Sequence, residues 1–276
     1  MNKFGVSVFT GAVLLVASAM QSQAGGVYEV EGSMKDPVSD AIAVPAPMPI
    51  PDTTAWYIRG DVGYSAFQDM DGVEGGQYAL TGLDIDGGYS VGGGIGYYFT
   101  PSLRGDITVD YLAESEITGI NNNAAAPVGG GTREFGFRST AVLLNAYYDF
   151  NRFGRLSPYV GVGVGAAFNS TSSGDATGAA YTAGTSGSIR PGSSTSFAYA
   201  LMAGATYKIS DGLYLDGSYR YLNIGDLSTG SLDDLTENDP AITIAPAVRA
   251  ANNGGSTTID DVDVHQVRIG IRQDIW

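Results

Sequence analysis

From residue 56 onward, apolar and polar side chains alternate with period two, as they do on a β-strand, where successive side chains point to opposite faces. Eight such runs stand out: 56–67, 89–99, 102–112, 135–150, 158–169, 196–208, 213–221 and 261–276. Each covers the roughly 9–11 residues that a tilted strand needs to cross a bilayer. Three connections are short: Thr100-Pro101, residues 151–157, and Ser210-Asp211-Gly212 with its Asp-Gly turn chemistry. The others, 68–88, 113–134, 170–195 and 222–260, are long and rich in Gly, Ser, Asn, Asp and Ala, and are expected to be loops. Tight turns on one side and long loops on the other describe an outer-membrane barrel. The expected fold is all-β, an eight-stranded antiparallel up-and-down transmembrane β-barrel with both chain ends on the short-turn side.

Alternation also assigns faces. Trp56, Ile58, Val62 and Tyr64 share one face of the first run, and Arg59, Asp61 and Ser65 the other. Leu103, Ile107, Val109 and Tyr111 oppose Arg104, Asp106, Thr108 and Asp110. Val160, Val162, Val164 and Phe168 oppose Tyr159, Gly161, Gly163 and Gly165. The polar phase holds Arg, Asp and Gly with almost no Lys, which suits a narrow lumen better than open water. Eight strands leave an interior just wide enough for side chains to fill. The expected contents are an ion-pair network of Arg59, Asp61, Arg104, Asp106, Asp110, Asp149, Asp216, Arg220, Arg268, Arg272 and Asp274. Arg suits it because its planar fork bonds carboxylates in pairs. Aromatic residues near strand ends, Trp56, Phe99, Phe150, Phe168, Tyr207, Tyr221 and Trp276, are expected at the membrane–water interfaces.

Before the first run the texture differs. Lys3, an apolar stretch over 4–20 and the small residues Ser22-Gln23-Ala24 read as a secretory signal peptide, residues 1–24. Residues 25–55, ending in Val44-Pro45-Ala46-Pro47-Met48-Pro49-Ile50-Pro51, read as a disordered, Pro-rich periplasmic tether, leaving 56–276 for the barrel. The chain has no Cys, so an exported fold rests on packing and backbone pairing rather than disulfides. Its net charge of −15 argues against nucleic acid as a partner.

Several segments resemble the small, porin-like, OmpA-like outer-membrane barrels that are surface antigens of Gram-negative bacteria. Trp56-Tyr57-Ile58-Arg59-Gly60-Asp61-Val62-Gly63-Tyr64 looks like that family's opening strand, and Asn145-Ala146-Tyr147-Tyr148-Asp149-Phe150 like its fourth. Pro158-Tyr159-Val160-Gly161-Val162-Gly163-Val164-Gly165 resembles its fifth, and Val267-Arg268-Ile269-Gly270-Ile271-Arg272 its last. The resemblance implies an integral outer-membrane protein in contact with outer-membrane lipid and lipopolysaccharide, inserted by the barrel assembly machinery. Family members end on a lipid-facing aromatic; here Val267, Ile269, Ile271 and Ile275 define that phase, and Trp276 falls one residue out of it.

Three functions remain open: a structural or surface-antigen barrel with a filled lumen, a narrow porin-like ion channel, and a lipid-modifying enzyme. The first is favoured and no catalysis, cofactor or metal is expected. The single His, His265, has Asp263 on its face but no Ser at the close spacing of a deacylase. The last long link carries Asp226, Asp233, Asp234, Glu237, Asp239 and Asp260, read as a solvated acidic loop or as a contact for an extracellular ligand.

Overall fold

The computed structural model describes residues 56–68, 70–74, 78–121, 131–150, 152–178, 185–237 and 255–275. The leader, the tether and Trp276 lie outside the described residues. The strands are β1 (Trp56–Phe67), β2 (Met70–Glu74), β3 (Tyr78–Ile85), β4 (Gly88–Tyr98), β5 (Leu103–Asn121), β6 (Gly131–Asp149) and β7 (Leu156–Gly178). They continue with β8 (Thr185–Ile189), β9 (Gly192–Ser210), β10 (Leu213–Asn223), β11 (Leu227–Glu237), β12 (Ser256–Ile259) and β13 (Asp263–Asp274). All belong to one antiparallel sheet that closes on itself.

The lower ring runs β1–β4–β5–β6–β7–β9–β10–β13 and returns to β1. No edge is left in it, so every backbone group finds a partner without water, as a bilayer requires. Its turns are those read from the sequence. Thr100 bonds Leu103 across the β4–β5 turn, and Gly212 adopts a φ of 74° between β9 and β10, a left-handed conformation that costs glycine nothing.

The long connections depart from expectation. Their described residues are mostly strand, not loop. β5, β6 and β7 run 19, 19 and 23 residues, far beyond the lower ring. On their upper parts β3 pairs with β5, β2 with β3, β12 with β2, β11 with β12, β8 with β11 and β7 with β8. The acidic link is part of this: Asp226 sits at the bend between β10 and β11, and β11 continues to Glu237. Residues 238–254 lie outside the described residues. The physical reason is that these links all leave the same rim of a closed ring. Each finds its neighbour's unpaired backbone within reach, and burial of Leu80, Leu83, Ile117, Phe135, Ile189, Leu227, Leu232 and Ile259 between them stabilises the pairing.

The two storeys have opposite polarity. Below, the outer wall is apolar, with Ile58, Val62, Ile107, Val109, Val162, Leu201 and Ile269 exposed, while the inside is charged. Above, Asp84, Asp86, Glu116, Glu134 and Asp175 face outward, and the inside is an apolar core. One extra residue makes the switch on β5. A bulge between Leu112 and Ser115 moves the buried phase from Arg104, Asp106, Thr108 and Asp110 to Ile117, Gly119 and Asn121.

Candidate functional site

The inward residues of the lower ring meet in the lumen. Arg59 pairs with Asp61 at 3.0 Å and Asp106 at 3.4 Å. Arg104 Nε lies 3.0 Å from Asp149. Arg268 bridges Asp61 and Asp110, the latter at 2.6 Å, and Arg220 reaches Asp110 at 2.9 Å. Eight of the eleven residues expected in the network are therefore in ion pairs. The other three, Asp216, Asp274 and Arg272, make no ion pair among the described residues. Asp216 accepts from the Tyr159 hydroxyl at 2.9 Å, and Asp274 from the Tyr98 hydroxyl at 3.2 Å. The Arg272 guanidinium packs on the rings of Tyr214, Tyr57 and Tyr98, at 4.8, 5.5 and 5.6 Å from their centroids.

Polar side chains complete the cluster. Tyr57 donates to Asp106 at 3.0 Å and Asn145 Nδ2 to the same carboxylate at 2.8 Å. Arg220 Nε donates to Gln266 Oε1, and Gln266 Nε2 to Ser65 Oγ. Arg104 stacks 4.0 Å above the Tyr147 ring. Glycine makes the room: a Cβ on Gly92 would collide with Asp110 Oδ1, and one on Gly270 would lie 2.7 Å from Asp61 Cβ. The gap between Arg59, Asp216, Gly270 and Arg272 holds no water-sized sphere. Above this layer Leu112, Phe137, Leu222 and Val264 are buried, so the charged lumen gives way to a more apolar core.

Sequence reasoning missed two parts of this interior. Tyr57, Tyr98 and Tyr147 lie on the same alternating phase as the arginines, which is the signal that could have found them. Glu74, Arg133 and Asn121 form a second buried polar group in the upper storey, with Arg133 3.0 Å and Asn121 2.8 Å from Glu74. All three lie in segments read as loops or beyond the ends of the runs, and nothing local marks them as inward.

The outer wall carries the expected aromatics in two groups. Trp56, Tyr97 and Phe99 contact edge to face at 5.2 and 5.4 Å, and Phe150 meets Tyr148 at 5.2 Å, near the short turns. Tyr207 and Phe168 are exposed on the same apolar wall. Tyr221 sits near the upper rim between Tyr199 and His265, at 6.1 and 5.5 Å. His265 faces outward, with the Tyr219 hydroxyl 2.5 Å from Nδ1. Above that rim, a hydrogen bond to Glu134 holds the Glu116 carboxyl above the usual carboxylate range. At the other end, Lys208 bonds Asp211 at 2.7 Å and lowers its pKa.

Residues 41–243 match the family model described as "Outer membrane protein beta-barrel domain". The chain belongs to that family. The chain is 31% identical over 251 residues to an uncharacterized protein of Brucella suis biovar 1, spanning 82% of this chain and 87% of that one. It is 27% identical over 186 residues to a Rickettsia bellii protein carrying the name "Putative adhesin", spanning 65% and 76% of the two chains. Among solved structures it is similar to the outer membrane protein OprG of Pseudomonas aeruginosa, at 15% identity and a TM-score of 0.46, covering 80% of this chain and 96% of that one. Neisserial surface protein A aligns at 18% identity and a TM-score of 0.40, covering 80% and 97%. By its family the chain is an outer-membrane β-barrel protein.

Proposed function

We propose that the chain is a non-enzymatic, eight-stranded barrel of the outer membrane that carries a folded head outside the cell. The eight spanning strands are β1, β4, β5, β6, β7, β9, β10 and β13, with both termini periplasmic. The leader directs export, and the segment 25–55 tethers the barrel on the periplasmic side. The observation that carries this reading is the reversal of polarity along one continuous wall. An apolar outside over a charged inside suits lipid, and a charged outside over an apolar inside suits water. The head, built from β2, β3, β8, β11, β12 and the upper parts of β5 to β7, is the surface presented to extracellular partners. Adhesion is the role that the rickettsial relative's name suggests for it. The lower wall suits outer-membrane lipid and lipopolysaccharide, and insertion falls to the barrel assembly machinery.

Two measurements test this. A compact, heat-modifiable outer-membrane band on an unheated gel is expected, with the head accessible to protease added to whole cells. A soluble periplasmic protein, or a head protected in intact cells and cut only after the outer membrane is opened, would overturn it. The channel alternative predicts steady ohmic steps in a planar bilayer. The filled lumen and the apolar layer above it predict none, because ions do not cross a dry apolar constriction. The enzyme alternative rests on His265. Its outward ring bonds Tyr219, and we expect His265→Ala to leave the lipid A profile of the cell unchanged. A changed profile would restore catalysis as a reading.

A further inference from the structure

The lipid-facing wall is not uniformly convex. Across β13, β1, β4 and β5, just below the head, it holds an open groove of about 610 Å³. Val62, Val91 and Ile269 line it together with the rings of Tyr64, Tyr89 and Tyr111. The Tyr64 and Tyr89 rings meet edge to face at 6.0 Å, and all three tyrosines stand well clear of the sheet, at 46%, 74% and 41% exposure. Toward the membrane centre, Gly60 and Gly93 sit opposite each other on the same outer face. Neither places a side chain on that wall, and a Cβ added at either would meet only a backbone oxygen, at 3.9 and 3.4 Å.

We propose that this groove is a specific site for one saturated acyl chain of the outer-leaflet glycolipid. The inference deepens the function proposed above and rests on its orientation, which puts the head side of the wall in the outer leaflet. The occupant follows from continuity with the surface that meets lipid and from the chemistry of the lining. The groove is continuous with the apolar wall, and its exposed side chains are aliphatic or aromatic. Its volume lies within the roughly 300–1,000 Å³ of sites that take a molecule-sized ligand. An extended hydrocarbon chain fits a groove that is apolar along its length. The tyrosine hydroxyls, at the end nearer the head, lie where the chain's ester and headgroup would emerge. Most of the wall offers only transient contact to annular lipid; here a chain gains contact on several sides at once.

The test uses the full-length protein, purified from outer membranes in mild detergent and weighed intact by native mass spectrometry. Wild type is expected to retain one glycolipid per barrel. Val91→Trp and, independently, Ile269→Trp place an indole in the groove. Each is expected to lower the glycolipid-bound fraction several-fold, because the indole fills the space in which the chain makes its dispersion contacts. Val164→Trp, on the β7 wall away from the groove, is expected to behave as wild type. Equal occupancy in all four proteins, no retained lipid in wild type, or retained phospholipid alone would overturn the proposal. The heat-modifiable gel shift identifies any variant that fails to fold. Protease access to the head on whole cells separately reports the orientation, so failure of the site and failure of the orientation are distinguishable.

Discussion

Val162→Arg is expected to cost about 2–4 kcal/mol of barrel stability, the penalty for a cationic side chain facing lipid near the bilayer midplane. Val162 is 55% exposed on the outer face of β7, between Val160 and Val164, and lies opposite Ala146 and Leu201 on the two neighbouring strands. No carboxylate shares that wall within its registers, so the guanidinium would have neither water nor a partner. The check is the urea midpoint for reversible unfolding from lipid vesicles. Two companions separate the causes. Asp175→Arg faces outward from the head, and a surface change there is expected to stay within about 0.5 kcal/mol. Ser218→Arg points into the lumen opposite Arg268, and is expected to fail through crowding and like charge. If Val162→Arg were as harmless as Asp175→Arg, the lower wall would not be facing lipid.

Asp110→Ala is expected to be the most damaging change in the lumen, at about 3–5 kcal/mol, because it leaves the buried Arg220 without its carboxylate and takes one of two from Arg268. Both Arg220 and Arg268 bond this carboxylate, and Thr108 donates to it at 3.0 Å. Asp216→Ala is the comparison. Its carboxylate accepts from Tyr159 and has no arginine within ion-pair distance among the described residues. Its loss is expected to cost less, about 1–3 kcal/mol for one unsatisfied buried partner. The same urea titration reads both. Equal losses would mean that pairing, as opposed to the mere presence of a charge in the lumen, does not set the stability of the interior.

These two experiments probe the features that were most and least local in origin. The lipid-facing phase is local. Val160, Val162 and Val164 declare it by spacing alone, because a strand's side-chain period is two wherever the strand sits. The membership of the lumen is local for the same reason: Arg104, Asp106 and Asp110 are buried on the phase that alternation assigns to the inside. Their partners are not local. Asp110 meets Arg220 and Arg268 across 110 and 158 residues of chain, and which arginine reaches which carboxylate depends on strand stagger. Thus Arg272 reads like its neighbours in sequence but ends among tyrosine rings instead of at a carboxylate.

The head was the larger gap. Segments such as Leu80-Thr81-Gly82-Leu83 have the Gly, Ser, Thr and Asp content of loops, and their strands are short and interrupted by register shifts. A short strand with many small residues carries little propensity of its own. It forms because a neighbouring link is held alongside it by the ring below.

The sequence by itself therefore determined the β-barrel class, the strands of the lower ring, their tight turns, and which side chains lie on its apolar outer wall or in its lumen. All of these follow from alternation and turn chemistry, which are properties of a few adjacent residues. Only the tertiary structure decided that the long links stack into a second storey, that a bulge after Leu112 reverses inside and outside, and how the lumen charges pair. Each of these depends on closure of the ring, which brings together backbone and side chains that no short stretch of sequence places side by side.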